Sequence, residues 1–231
     1  MRCVKWMTRP IVKIEPPATE GSLGGERRAD AAAVTPPPRR VPSQRRSRER
    51  VERILAVSTA LVAEGGIEAL RMSEVAARAE MSIGSLYQYF PDRAAILRTL
   101  AGRYNAEGQA CVAAELSLVR TAAELHAALL RVVDGYYAMF LAEPVMRDLW
   151  WATQADRSLH DVDAADMEAH TGILAAVLAR VHPDRDPGEL ATTAMLTMHL
   201  VASAVRLAIS VDRPRGDAVV AAFRAMLPER L

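Results

Sequence analysis

A chain of 231 residues with 51% apolar content can bury one or two cores and is not disordered as a whole. Aromatics make up only 5% while Ala, Leu, Val and Met abound, which favours helix over strand, and no run approaches the roughly 18 consecutive apolar residues of a membrane span. The net charge of +1 hides an asymmetry: residues 1–53 hold 13 basic against 6 acidic side chains, a balance of +7, and the remainder balances at −6, so only the front of the chain suits a polyanion.

Residues 1–43 carry 7 of the 13 prolines, including Pro36-Pro37-Pro38. Such a segment cannot bury enough apolar surface to offset its ordering entropy, so it is expected to be a disordered basic tail. It either scans DNA nonspecifically or is an inert extension. Arg2, Lys5 and Arg9 are not followed by an apolar stretch, so they make no secretory signal, and a cytoplasmic protein is expected. Cys3 and Cys111 lack a CxxC spacing and suggest neither a disulfide framework nor a zinc site.

Ser43 is placed to cap a helix over 43–64 whose apolar side is Val51, Ile54, Leu55, Leu61 and Val62. Gly65-Gly66 ends it, because glycine takes the left-handed conformation after a helix without steric penalty. Short helices are expected over 73–79 and 83–90, with a turn at 80–82 between them. Pro91 stops the second, and Asp92 opens a long helix to about residue 118. Thr121 and Glu124 form a capping box for a helix ending near Ala142, and Pro144 sits in the first turn of another. Residues 162–181 follow, closed by His182-Pro183-Asp184. Asp186-Pro187-Gly188-Glu189 then combines an N-cap, a first-turn proline and a third-position carboxylate at the head of a helix reaching about Val211. Asp212-Arg213-Pro214 is expected to break it before a last helix over 217–227. No segment alternates as a strand does, so the chain is all-α.

The segment Met72–Arg93 carries the chemistry. Two helices of about seven residues are too short to stand alone. Ile54, Leu55 and Leu61 offer a third helix beneath them, and Val75, Ala76, Ala79, Met81, Leu86 and Phe90 complete a small trihelical core. That is the helix-turn-helix arrangement, in which the second helix enters the major groove. Ser82 caps that helix and leaves its first N–H groups facing a phosphate. Ile83, Gly84, Ser85, Tyr87, Gln88 and Tyr89 carry no charge that would repel DNA. Ser85 and the tyrosine hydroxyls suit phosphates, which set position, while Gln88 can pair with adenine and Ile83 can touch a thymine methyl. Ser73 at the head of the first short helix, Arg93, and Arg45, Arg46 and Arg48 add further backbone contacts. Either tyrosine serves equally well as a flank of the core, and Gln88 as a solvated residue.

In order, V-A-x-x-A, then S-x-G-S-L-Y-x-Y-F-x-x-R, after a helix ending E-G-G, resembles the DNA-binding domain of the tetracycline-repressor (TetR) family over residues 45–95. The resemblance implies a homodimeric repressor on a near-palindromic operator, released by a small-molecule effector in its C-terminal domain. Three positions depart from the family pattern. Arg71 and Met72 stand where Thr is usual, leaving the cap to Ser73. Glu80 replaces Gly in the turn, at a cost of perhaps ~1 kcal/mol if the position needs positive φ. Arg93 replaces the usual Lys.

The expected division is therefore a tail over 1–43, a DNA-binding domain over 44–95 and a helical ligand-binding and dimerisation domain over 96–231. Tyr136, Tyr137, Met139 and Phe140, then Met146, Trp150 and Trp151, then His170, Met195, Met198, His199 and Arg206 are candidates to line a pocket between helices; each can equally be plain core. Arg206 binds an anionic ligand, pairs with an acid or sits at a solvent edge. Ala191, Ala194, Ala202, Ala204 and Ala208, then Ala218, Ala221, Ala222 and Ala225, permit close packing of the last two helices with a partner copy. The long 92–118 helix links the two domains. The five histidines show no metal spacing, and no phosphate loop or nucleophile motif appears, so neither catalysis, a metal nor a cofactor is expected.

Overall fold

In a computed structural model, residues 41–229 are described. Residues 1–40 of the expected tail, with Cys3, lie outside them, and residues 41–43 belong to the first helix. Helix α1 (Val41–Gly65) starts ahead of Ser43, which falls inside its first turn rather than capping it. It ends as expected at Gly66, whose φ of 70° is open to glycine without strain. A 3-10 turn (Ile67–Ala69) leads to α2 (Met72–Arg78) and α3 (Ile83–Tyr87). The first of these is preceded by Arg71 in extended geometry, with no side-chain cap, so Ser73 does not cap it. The second is three residues shorter than expected: Pro91 crowds a helical Phe90, and the last residues form a turn held by the Phe90 N–H on the Leu86 carbonyl at 3.0 Å. Between them Glu80 takes φ of 55°, the left-handed conformation that the usual glycine would adopt freely.

Beyond Pro91 the chain forms α4 (Arg93–Leu116), α5 (Ala122–Ala142), α6 (Pro144–Ala155), a 3-10 turn (Arg157–Leu159), α7 (His160–Val181), α8 (Pro187–Ile209) and α9 (Arg213–Met226). Local chemistry sets most of their starts. Asp92 accepts from the Ala95 N–H at 2.7 Å, and Asp186 accepts from that of Glu189 at 2.9 Å. Thr121 and Glu124 close the capping box reciprocally. Helix α9 begins four residues earlier than expected. Asp212 caps it by accepting from the Arg215 N–H at 3.1 Å, and Pro214 falls in the first turn, where a missing N–H costs nothing.

One apolar cluster runs from Ile54, Leu61, Val75 and Leu86 through Leu97 and Leu100 to Phe140, Leu149 and Val205; a second surrounds Leu116, Leu125, Leu174 and Leu190. Helices α4, α5 and α8 each pass through both. Among the described residues only α8 is long and apolar enough by length and composition to cross a membrane. Its buried face packs on α7, α9 and α5.

Candidate DNA reader and effector cavity

The helix-turn-helix is built on Leu86, which is fully buried against Ile54, Leu55, Val75 and Ala79. Ser82 accepts from the Ser85 N–H at 3.1 Å and its hydroxyl donates to that of Ser85 at 2.9 Å. With the core side of α3 fixed, Ile83, Gly84, Tyr87 and Gln88 turn to solvent, Ile83 at 44% and Tyr87 at 50% exposure. Large apolar side chains left that open on a short helix are suited to a partner surface. Tyr89 is half-buried against the core, and its hydroxyl accepts from Arg50 at 3.3 Å, which holds its pKa below the usual phenol value. It therefore works as a flank of the core tied to α1.

Arg46 and Ser73 are exposed. Arg93 is turned toward Glu68, 3.4 Å away, and its Nε is buried without a partner. Arg50, which the sequence did not single out, joins Arg46 and Arg48 on the exposed front of α1. Its position one turn after Arg46 was the available signal.

A cavity with about 130 Å³ accessible to the centre of a water-sized sphere lies between α4, α5, α6, α7 and α8. That is several times the roughly 10–15 Å³ one water needs, so it is more than a packing flaw. Of the twelve residues expected there, Tyr136, Met139, Phe140, Met146, Trp150, His170, Met198 and Arg206 line it. Four do not: Met195 is exposed on α8, and each of the other three is the sequence neighbour of one that does. Tyr137 points to α9, with its ring 5.7 Å from the Arg213 guanidinium and its hydroxyl against Gly216, where a Cβ would come within 2.7 Å. Trp151 is 49% exposed, and His199 faces solvent with Nδ1 donating to the Met195 carbonyl at 2.8 Å. Successive helical residues lie about 100° apart, so at the edge of the inward face one residue of an adjacent pair lines the cavity and the next turns away.

The same geometry brings in residues that the sequence did not nominate. Ala101, Tyr104, Asn105, Gly108, Cys111, Val112 and Glu115 form one face of α4, while Asp163, Asp166 and Met167 join the expected His170 on one face of α7. Their spacing of three and four was legible, but which face of a long helix turns inward was not. Arg206 donates to Asp163 at 2.8 Å and lies over the Trp150 ring at 5.0 Å. It thus both pairs with an acid and lines the cavity. Gln109 donates to Asp166 at 2.8 Å, clamping α4 to α7. Burial depresses the pKa of His170, but the Asp166 carboxylate 3.4 Å from Nδ1 outweighs it and leaves the imidazole above its ordinary value. Burial pushes the Tyr136 phenol up to about 12, although the Arg206 guanidinium beside it pulls the other way.

The cavity is mechanically joined to the reader. Helix α4 buries Ile96, Leu97 and Leu100 in the first core and lines the cavity from Ala101 onward. Arg103 grips Glu52 of α1 with two hydrogen bonds of 2.6 Å. Helix α6, which supplies Met146, Leu149, Trp150 and Thr153 to the wall, also packs on α1.

The exposed side of α8 presents Met195, Leu196, Leu200 and Leu207, and that of α9 presents Ala218, Ala221, Ala222 and Ala225. Ala194, Ala202 and Ala208 instead face the protomer's own core.

The family model described as "Bacterial regulatory proteins, tetR family" matches residues 54–100, and that of the "Tetracyclin repressor-like, C-terminal domain" matches 123–231. The transcriptional repressor KstR of Mycolicibacterium smegmatis is 45% identical over 56 residues, which are 24% of this chain and 28% of that protein. The chain thus aligns with little more than a quarter of that relative's length. A TetR-family regulator from Streptomyces coelicolor has the same fold at a TM-score of 0.57 and 28% identity, covering 77% of this chain and 95% of its own. Another from Pectobacterium atrosepticum reaches a TM-score of 0.61 at 18% identity, covering 79% and 92%. With a helix-turn-helix presenting Ser82 to Gln88, a helical body behind it and family matches over both, the chain belongs to the TetR family of bacterial transcriptional regulators.

Proposed function

We propose that this protein is a homodimeric repressor that holds a near-palindromic operator through α3 and is released when a small molecule fills the cavity. The observation that carries this reading is the helix α4, which is anchored in the reader's core at one end and forms a wall of the cavity at the other. A molecule that fits one position of α4 better than another shifts the population of reader positions by its differential affinity. On this reading residues 44–95 are the DNA-binding unit, and 96–231 sense the effector and form the dimer. Ile83, Gly84, Tyr87 and Gln88 face the groove, and Ser73, Ser82, Ser85, Arg46 and Arg93 supply phosphate contacts. The apolar stripe of α8 and the alanines of α9 form the dimer interface, setting two α3 helices about one DNA turn apart.

The test is a selection from random duplexes with the full chain, followed by binding of the enriched duplex against unrelated competitor DNA. An enriched near-palindrome, bound by the native chain and lost in Tyr87→Ala with the fold intact, is expected. Failure to enrich any sequence overturns the repressor reading.

A further inference from the structure

The charges around the cavity are already balanced within the protein. Arg206 donates to Asp163, and Gln154 reaches the other oxygen of that carboxylate at 3.2 Å. Arg131 pairs with Glu115 at 2.5 Å, while Asp166 accepts from Gln109 and faces His170. Arg206 holds Asp163 through Nη2 and its remaining Nε is buried away from the open space, so an incoming carboxylate would have to compete with Asp163 for it, and an ammonium would have to draw an aspartate from its partner. Either exchange strands a half-buried charge, which weakens binding rather than adding to it.

Among the cavity's polar groups, the Tyr104 hydroxyl, the Asn105 amide and His170 Nε2 make no hydrogen bond to the described residues, and the buried Trp150 Nε1 and Arg206 Nε are also without a partner. His170 commits Nδ1 to the Asp166 carbonyl at 2.9 Å, which leaves Nε2 for something else. Tyr104 and Asn105 sit on one turn of α4, and His170 sits on α7, which packs against it. Tyr104 is only 4% exposed, so what reaches its hydroxyl does so through the cavity. The walls opposite are Met139, Phe140, Met146 and Leu149.

Resting on the reading of the cavity as an effector site, we infer that the effector is an uncharged, mainly apolar molecule whose hydroxyl or carbonyl oxygen is held by Tyr104, Asn105 and His170. The Tyr104 hydroxyl and the Asn105 amide donate to a neutral oxygen, while His170 Nε2 accepts from a hydroxyl when the ring is neutral or donates to the oxygen when it is protonated, and none of these disturbs an ion pair. An apolar skeleton meanwhile gains by burial against the methionine and aromatic wall.

The experiment is calorimetric titration of the full chain with two matched series. One is naphthalene, 1-naphthol, 1-tetralone, 1-naphthoate and 1-naphthylmethylammonium; the other is 1-decanol, 2-decanone, decanoate and decylammonium. The alcohol or ketone is expected to bind at least tenfold more tightly than the charged members of its series. Tyr104→Phe weakens that oxygenated ligand about five- to tenfold and leaves naphthalene unchanged, as loss of one hydrogen bond requires. Asn105→Ala gives a second reading should the first variant be unstable. A carboxylate or ammonium ranking first, or oxygenates indifferent to both variants, overturns the inference and leaves the effector site standing. Absence of binding by every member overturns both.

Discussion

The reader and the cavity are built on opposite plans. The exposed groups of the reader come from seven consecutive residues, Ser82 to Gln88, so the sequence that forms the helix also lists its surface. The cavity draws on five helices between Ala101 and Arg206, and within each helix only one face contributes. In the reader, a change acts locally through the small trihelical core. In the cavity, neighbours in sequence have unrelated roles, as Tyr136 and Tyr137, Trp150 and Trp151, and Met198 and His199 show.

Leu86→Ala gives the largest effect expected, about 3 kcal/mol of destabilisation, because a fully buried side chain leaves a void that five- and seven-residue helices cannot fill. Chemical denaturation measures it; a loss below 1 kcal/mol would mean that α3 is not held by this core. The tryptophan pair sharpens the contrast next. Trp150→Ala should cost about 2 kcal/mol and abolish binding of the cavity's ligand, whereas Trp151→Ala should stay within about 0.5 kcal/mol and bind normally. Equal effects in calorimetry would dissolve the distinction between adjacent residues.

Glu80→Gly should stabilise the chain by about 1 kcal/mol by relieving the left-handed conformation, and should tighten DNA binding by removing a negative charge beside the reader. A fall in melting temperature would show that the Glu80 side chain earns its place. The smallest effect concerns pH. His170 has its folded pKa raised above the ordinary 6.5, so its stabilising pairing is fully present below that value and fades as pH rises through the folded one. The stability difference between the native chain and His170→Gln should therefore shrink from pH 6 to pH 9; a constant difference would show that the pairing with Asp166 does not titrate.

How far the sequence could be read follows the range of the forces involved. The capping box at Thr121, the Asp186 cap, the Gly66 terminus and the left-handed Glu80 rest on contacts within four residues, and all four were legible. At the same range two local signals can compete: Pro214 reads as a breaker, but Asp212 makes it a first-turn proline, and Ser43 reads as a cap although the helix begins ahead of it. Three residues missing from α3 reflect Pro91 acting on Phe90.

By itself the sequence determined the all-α class, the order of the helices and the chemistry displayed by the reader, because hydrophobic period, caps and a contiguous motif are properties of neighbouring residues. Only the tertiary structure decided which face of α4, α5, α6 and α7 turns inward. It also decided that Arg206 pairs with Asp163 across 43 positions, and that the Tyr104 hydroxyl, the Asn105 amide and His170 Nε2 are left facing the cavity. Those outcomes depend on how five helices rotate about their axes when they pack, and a rotation of about 100° exchanges one residue for the next without altering any local preference.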